Sequence, residues 1–101
     1  MEKDQLSRKL AVILHADVAD STALVRMDEI LAHKRIQDAF QRFSKTIESH
    51  EGVAREIRGD ALIAEFARAS DAVAASIEFQ TGNSVQLQEL PDQIRPVLRI
   101  G

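Results

Sequence analysis

Cysteine is absent from the 101-residue chain. That excludes a disulfide scaffold, a thiolate zinc site and a cysteine nucleophile. It accords with a reducing cytoplasm, the location expected for this chain. Tryptophan and tyrosine are also absent, and there are only 4 phenylalanines, so aromatic platforms that stack single-stranded bases are not expected. The net charge of −3 offers no basic field to a duplex or an anionic membrane. Nucleic acid is therefore not an expected partner. A small anion would need local cations or a metal ion. Long apolar runs are missing too. The longest, "LAVIL" (10–14), is far too short to span a bilayer, and no secretory pattern precedes it. What remains, 45% apolar and 29% charged residues, suits one modest globular domain.

Residues 1–9 are polar and read as a flexible leader. "LAVILHAD" (10–17) is short, apolar and bounded, the mark of a buried strand. "VADST" (18–22) interrupts it with Asp20, Ser21 and Thr22, any of which can cap a helix. A helix is expected from about Asp28 to Glu51, with Ile36, Phe40, Phe43 and Ile47 as its apolar stripe and Gly52 as its stop. "VAREIR" (53–58) and "ALIAEF" (61–66) read as two hairpin arms around Gly59-Asp60. The first arm is less apolar and is the expected edge strand. Ser70 should cap a second helix reaching Gln80, with Asp71 in its first turn and Ala72, Ala75, Ile77 and Phe79 as apolar surface. "TGNSVQLQELPDQ" (81–93) reads as loop, and "IRPVLRIG" (94–101) begins a last strand.

The order strand, helix, strand, strand, helix, strand is that of the ferredoxin-like split βαβ core, an α/β (α+β) fold. The chain ends within the last strand, so the core is expected to be incomplete at its C-terminus. This topology puts the second hairpin arm between the first strand and the first arm, antiparallel to both. Asp17 and Asp60 should then meet at one edge of the sheet. Two ionised carboxylates about 4 Å apart repel by roughly 4 kcal/mol at an effective dielectric near 20. Either one holds a proton or a hard divalent cation bridges them. Mg²⁺ takes one or two carboxylates plus phosphate and water, and two such ions can clamp an attacking and a leaving oxygen. Backbone N–H groups after Asp17 could seat a phosphate. The plainer alternative is that Asp17 caps a turn and Asp60 is an ordinary turn residue. The spacing of His15, His33 and His50 matches no helical metal pair, so surface or packing roles are expected. His15 shares strand parity with Asp17 and could border the site. "RGD" (58–60) matches an adhesion tripeptide, as short strings do by chance.

"LAVILHADVADSTAL" (10–24) followed by "GVAREIRGDALIAEF" (52–66) resembles the first half of a class III nucleotidyl cyclase domain, the adenylate/guanylate cyclase family. "SDAVAASIEFQ" (70–80) and "LRIG" (98–101) continue the likeness. The resemblance implies that residues 10–101 are the N-terminal portion of such a catalytic domain. It implies a homodimer with sites at the subunit interface, two divalent cations (Mg²⁺ or Mn²⁺), and conversion of GTP or ATP to a 3′,5′-cyclic nucleotide and pyrophosphate for intracellular signalling. Asp17, Asp60 and the backbone carbonyl of Val18 would hold metal, and Ser21 and Thr22 the triphosphate. Glu56 stands where adenylate cyclases usually carry an adenine-reading lysine and guanylate cyclases a glutamate. A carboxylate accepts from the N1–H and 2-amino group of guanine, so Glu56 leans toward GTP. At Asp20 the family often has glycine. Its transition-state asparagine and arginine follow the "RIG" strand, so this chain is expected to be part of a longer enzyme; the alternative is a catalytically inactive dimerisation or regulatory module. A diguanylate cyclase is a poorer match, because the hairpin lacks the Gly-Gly-Asp-Glu-Phe signature.

Overall fold

The computed structural model describes residues 10–101; the leader expected at 1–9 lies outside them. Strand β1 (Val12–Val18) is followed by a short helix α1 (Ser21–Met27) and a long helix α2 (Glu29–Ser49). The hairpin strands are β2 (Val53–Arg58) and β3 (Ala61–Phe66). Helix α3 (Ala69–Gln88) and strand β4 (Leu98–Ile100) complete the fold. The sheet order is β2-β3-β1-β4, every neighbouring pair antiparallel. This is the split βαβ arrangement expected, with the second hairpin arm between the first arm and β1.

Alternation along the strands sets the two faces. Leu14, Ala16 and Val18 of β1 and Leu62, Ala64 and Phe66 of β3 are buried, as a period of two requires. They form one core with Ile36, Phe40, Phe43 and Ile47 of α2, all buried as the stripe predicts. Phe43 stacks on Phe79 of α3 with ring centroids 4.6 Å apart. The opposite face carries Ile13, His15 and Asp17 with Ala61, Ile63 and Glu65, all exposed or half-buried. No helix among the described residues is long and apolar enough to cross a membrane.

The structure corrects several local expectations. Helix α3 begins at Ala69 with Arg68 at its N-cap, not at Ser70. It also runs on through the expected loop to Gln88. Asn83 is the reason: it is buried, its side-chain oxygen accepts from Arg42 at 3.1 Å, and its amide donates to the Pro96 carbonyl at 3.2 Å. Tertiary bonds of this kind override the weak helix preference of "TGNS". The buried side of α3 is Ala72, Ala75, Phe79, Asn83 and Leu87, which leaves Ile77 on the far side and 62% exposed. The expected long helix is preceded by a separate one, because Asp28 is extended and caps α2 by accepting from the Leu31 N–H at 3.1 Å.

Candidate functional site

The β1–β3 register sets Asp17 opposite Ala61, so the hairpin turn and the end of β1 share one edge. Asp60 lies in that turn, next to Gly59, whose φ of 60° is the left-handed conformation a tight hairpin needs. The two aspartates thus reach the same edge, yet each has its own partner. Asp17 also faces Arg99 across β4. Arg99 Nε donates to Asp17 Oδ1 at 2.9 Å and Nη2 to Oδ2 at 3.3 Å. These hydrogen bonds, and then the carboxylate charge, push the Arg99 guanidinium above its usual value. Asp60 Oδ2 accepts from Ser21 Oγ at 3.1 Å.

A cavity of about 330 Å³ lies beside Asp60 and Ser21, lined also by His33 and Gln37. Those two are one turn apart on α2 and so share a face. Thr22 is exposed at the second position of α1. The Val18 side chain is buried in the core, so only its backbone can serve a ligand. Asp20 adopts φ 56° and ψ 42°, a conformation that glycine takes without steric cost. Glu56 follows a bulge in β2, pairs across the sheet with Ile63, and forms an ion pair with Arg58. Ile63 is also opposite His15, so Glu56 and His15 flank one row of the same sheet. His15 does lie on the face of Asp17, as strand parity required. His50 bonds to Glu78 at 2.8 Å, away from this edge.

Among the described residues no group of three or more histidine, aspartate or glutamate side chains is placed to hold a metal ion by itself. Two carboxylates at one edge, Asp17 at the end of β1 and Asp60 in the adjoining turn, are the donor type a hard cation takes when phosphate and water supply its other ligands. Sequence reasoning missed Arg99 and His33. The strand "LRIG" was in view, but only the register reveals that its arginine is opposite Asp17.

The class these elements define is plain: the fold is that of the class III nucleotidyl cyclase catalytic domain. A bacterial light-regulated adenylyl cyclase superposes with a TM-score of 0.78 at 16% identity, over 90% of this chain and 29% of that one. The guanylyl cyclase Cya2 gives 0.74 at 22% identity, over 90% and 51%. The adenylate/guanylate cyclase/hydrolase from Silicibacter pomeroyi gives 0.72 at 27% identity, over 94% and 55%. In sequence, the chain is 28% identical over 102 residues to a protein of Rhizobium meliloti (strain 1021) named "Putative adenylate cyclase 3". That match takes in 100% of this chain but only 17% of the relative's length. No protein-family model matches the chain.

Proposed function

We propose that this chain supplies the metal- and triphosphate-binding part of a nucleotidyl cyclase site, converting GTP or ATP to a 3′,5′-cyclic nucleotide and pyrophosphate. The observation that carries this reading is the register of Asp17 against Ala61, which brings Asp60 to the same edge in a cyclase fold. Asp17, Asp60 and the Val18 carbonyl would hold two divalent cations. When bound, such ions supply neutralising charge to the leaving pyrophosphate and acidify the 3′-hydroxyl. Thr22 and the N–H groups opening α1 would meet the triphosphate, and Ser21 holds Asp60 toward it. Glu56 would accept from the guanine edge. The exposed sheet face, with Ile13, His15 and Asp17 on it, would meet a second copy in a homodimer whose product serves intracellular signalling.

The test uses the longest natural protein that contains this chain. It is incubated with GTP and with ATP, each with Mn²⁺ or Mg²⁺, beside Asp17→Asn and Asp60→Asn. The expected result is a cyclic nucleotide that both substitutions abolish. Metal-dependent nucleotide binding of equal strength in both variants would overturn the reading. One observation favours a second reading, an inactive cyclase-like module that dimerises or regulates: both oxygens of Asp17 are engaged by Arg99. Such a module would self-associate with no response to metal or nucleotide.

A further inference from the structure

Ser21 and Val25 stand one turn apart on α1, and His33, Ile36 and Gln37 share one face of α2. The two faces meet at the hairpin tip, Gly59-Asp60, and border the cavity of about 330 Å³. That is the small end of the range for ligand sites, about 300–1,000 Å³. The cavity shares Ser21 and Asp60 with the proposed metal edge, but none of Asp17, Thr22 and Glu56 lines it. Its floor is apolar: Ile36 is buried in the core and Val25 packs against that core. A Cβ on Gly59 would meet nothing within 4 Å, so the tip leaves the mouth open.

The fixed charge of the lining has one sign. Asp60 is its carboxylate, and no lysine or arginine lines the cavity. Ser21 Oγ donates to Asp60 Oδ2, and Oδ1 has no donor among the described residues. An anion would meet Asp60 with no cation to offset it. A hydrated metal ion would gain nothing from Val25 and Ile36. An ammonium has three donors and no acceptor. The Asp60 carboxylate, the Ser21 hydroxyl and the Gln37 amide oxygen are acceptors in the lining, and a hydrocarbon body on the ammonium would cover Val25 and Ile36.

We propose that this cavity is a separate ligand site, which takes a small primary amine with a short apolar body and through Asp60 opposes metal at the neighbouring edge. The opposition rests on the reading of Asp60 as a metal ligand; the amine site does not. Amine and metal need not exclude each other. Two positive charges on one carboxylate repel, so each weakens the other.

The experiment uses the longest natural protein that contains this chain, with benzylamine as the probe and benzyl alcohol as its uncharged counterpart. Binding is read by saturation-transfer nuclear magnetic resonance of the probe. Benzylamine should bind about three- to tenfold more tightly than benzyl alcohol, the gain expected from a charged hydrogen bond near solvent. Asp60→Asn should remove that difference, and Val25→Phe, which fills the floor, should abolish binding of both. Equal binding of the two probes, benzylamine binding unchanged in Asp60→Asn, or no binding of benzylamine at all would overturn the amine site. So would full binding to a folded Val25→Phe protein, because the probe would then lie elsewhere. Electron paramagnetic resonance of free Mn²⁺ tests the opposition. Saturating benzylamine should raise the Mn²⁺ concentration at half-saturation about twofold or more. Mn²⁺ binding indifferent to the amine would overturn the opposition. Mn²⁺ binding retained in full by Asp60→Asn, or absent from the wild type, would overturn the metal reading of Asp60 and leave the amine site standing.

Discussion

Ser21 Oγ donates to Asp60 Oδ2 at 3.1 Å, joining residues 39 apart in the chain. The bond ties the segment after β1 to the tip of the β2–β3 hairpin. It fixes the direction of a carboxylate that stands in an exposed turn. Hydrogen bonds to charged groups are stronger than neutral ones, although solvent weakens this one. Ser21→Ala should therefore raise the Mg²⁺ concentration at half-saturation by about two- to tenfold. The nucleotide affinity at saturating Mg²⁺ should change less, and Ser21→Thr should restore the metal response. A titration with the opposite split, weak nucleotide and unchanged metal, would return Ser21 to the triphosphate role that the family resemblance implies.

Gly52, expected as the stop of α2, lies beyond its end at Ser49 and is glycine for a reason of space. The residue with positive φ is Glu51, at 70°, while a Cβ on Gly52 would run into the Phe66 ring at Cε2. Phe66 is buried in the core and cannot swing aside freely. Gly52→Ala should destabilise the domain by about 1–3 kcal/mol, the usual cost of overpacking. Glu51→Gly, which relieves a left-handed residue, should cost nothing or add up to about 1 kcal/mol. Urea midpoints of the two variants should move in opposite directions or at least differ by this margin. Equal stability of Gly52→Ala and wild type would mean that the Phe66 ring repacks at no cost.

The bounds of the hairpin were legible because two short strand-forming runs, "VAREIR" and "ALIAEF", flank Gly59-Asp60, whereas the bulge between Ala54 and Glu56 left no mark in the sequence. The α2 stripe was legible because Ile36, Phe40, Phe43 and Ile47 repeat at helical spacing. The pairing of β1 with β3 followed from the order of elements, and with it the placing of Asp17 and the Asp60 turn at one edge of the sheet. What escaped depended on distant partners. Residues 81–88 look like loop until Asn83 is seen bonded to Arg42 and to the Pro96 carbonyl. Ile77 looks like core until the buried side of α3 is fixed by Phe79 and Asn83. Arg99 looks like surface charge until the β1–β4 register sets it on Asp17. His33 enters the site only because α2 passes beside the hairpin turn.

The segment leading into β4 has an acid-sensitive clasp. Asp92 Oδ1 accepts from the Arg35 guanidinium and from the Ile94 N–H at 3.0 Å, and Arg35 also donates to the Ile94 carbonyl at 3.0 Å. The bond from Arg35 first, and then that from Ile94, lower the Asp92 pKa below its usual value. A carboxyl whose folded pKa lies below its unfolded one stabilises the fold above the unfolded value, and the contribution is lost as pH falls through the folded one. The unfolded value is about 3.9. Asp92→Asn should therefore be less stable than wild type from pH 5 to 7, and the gap should narrow below about pH 4. Urea unfolding of both proteins at pH 7, 5 and 3 measures it. A gap that is the same at all three would assign the effect to geometry and not to the charge of Asp92.

In the function proposed above, Glu56 would carry the choice of base. It lies on β2 just past the bulge at residues 54–56, in the strand that leads to Asp60. Its partner is Arg58, whose side chain is 84% exposed, so that ion pair holds the carboxylate weakly and leaves it free to turn to a ligand. A carboxylate can accept from two adjacent donors on guanine, and adenine presents an acceptor at the matching ring nitrogen. GTP should therefore displace a bound fluorescent nucleotide better than ATP does, with Mg²⁺ present. Glu56→Lys removes both acceptors and sets an ammonium where the guanine donors would lie. It should weaken GTP by about tenfold or more, because a buried donor left without its acceptor costs on the order of 1–3 kcal/mol. ATP should be weakened less or gain. Asp60→Asn, by contrast, should weaken both nucleotides together, since it acts on the phosphate end. A Glu56→Lys variant with the wild-type ratio of GTP to ATP affinity would show that the base is read by other residues, and would leave the proposed metal role of Asp17 and Asp60 unaffected.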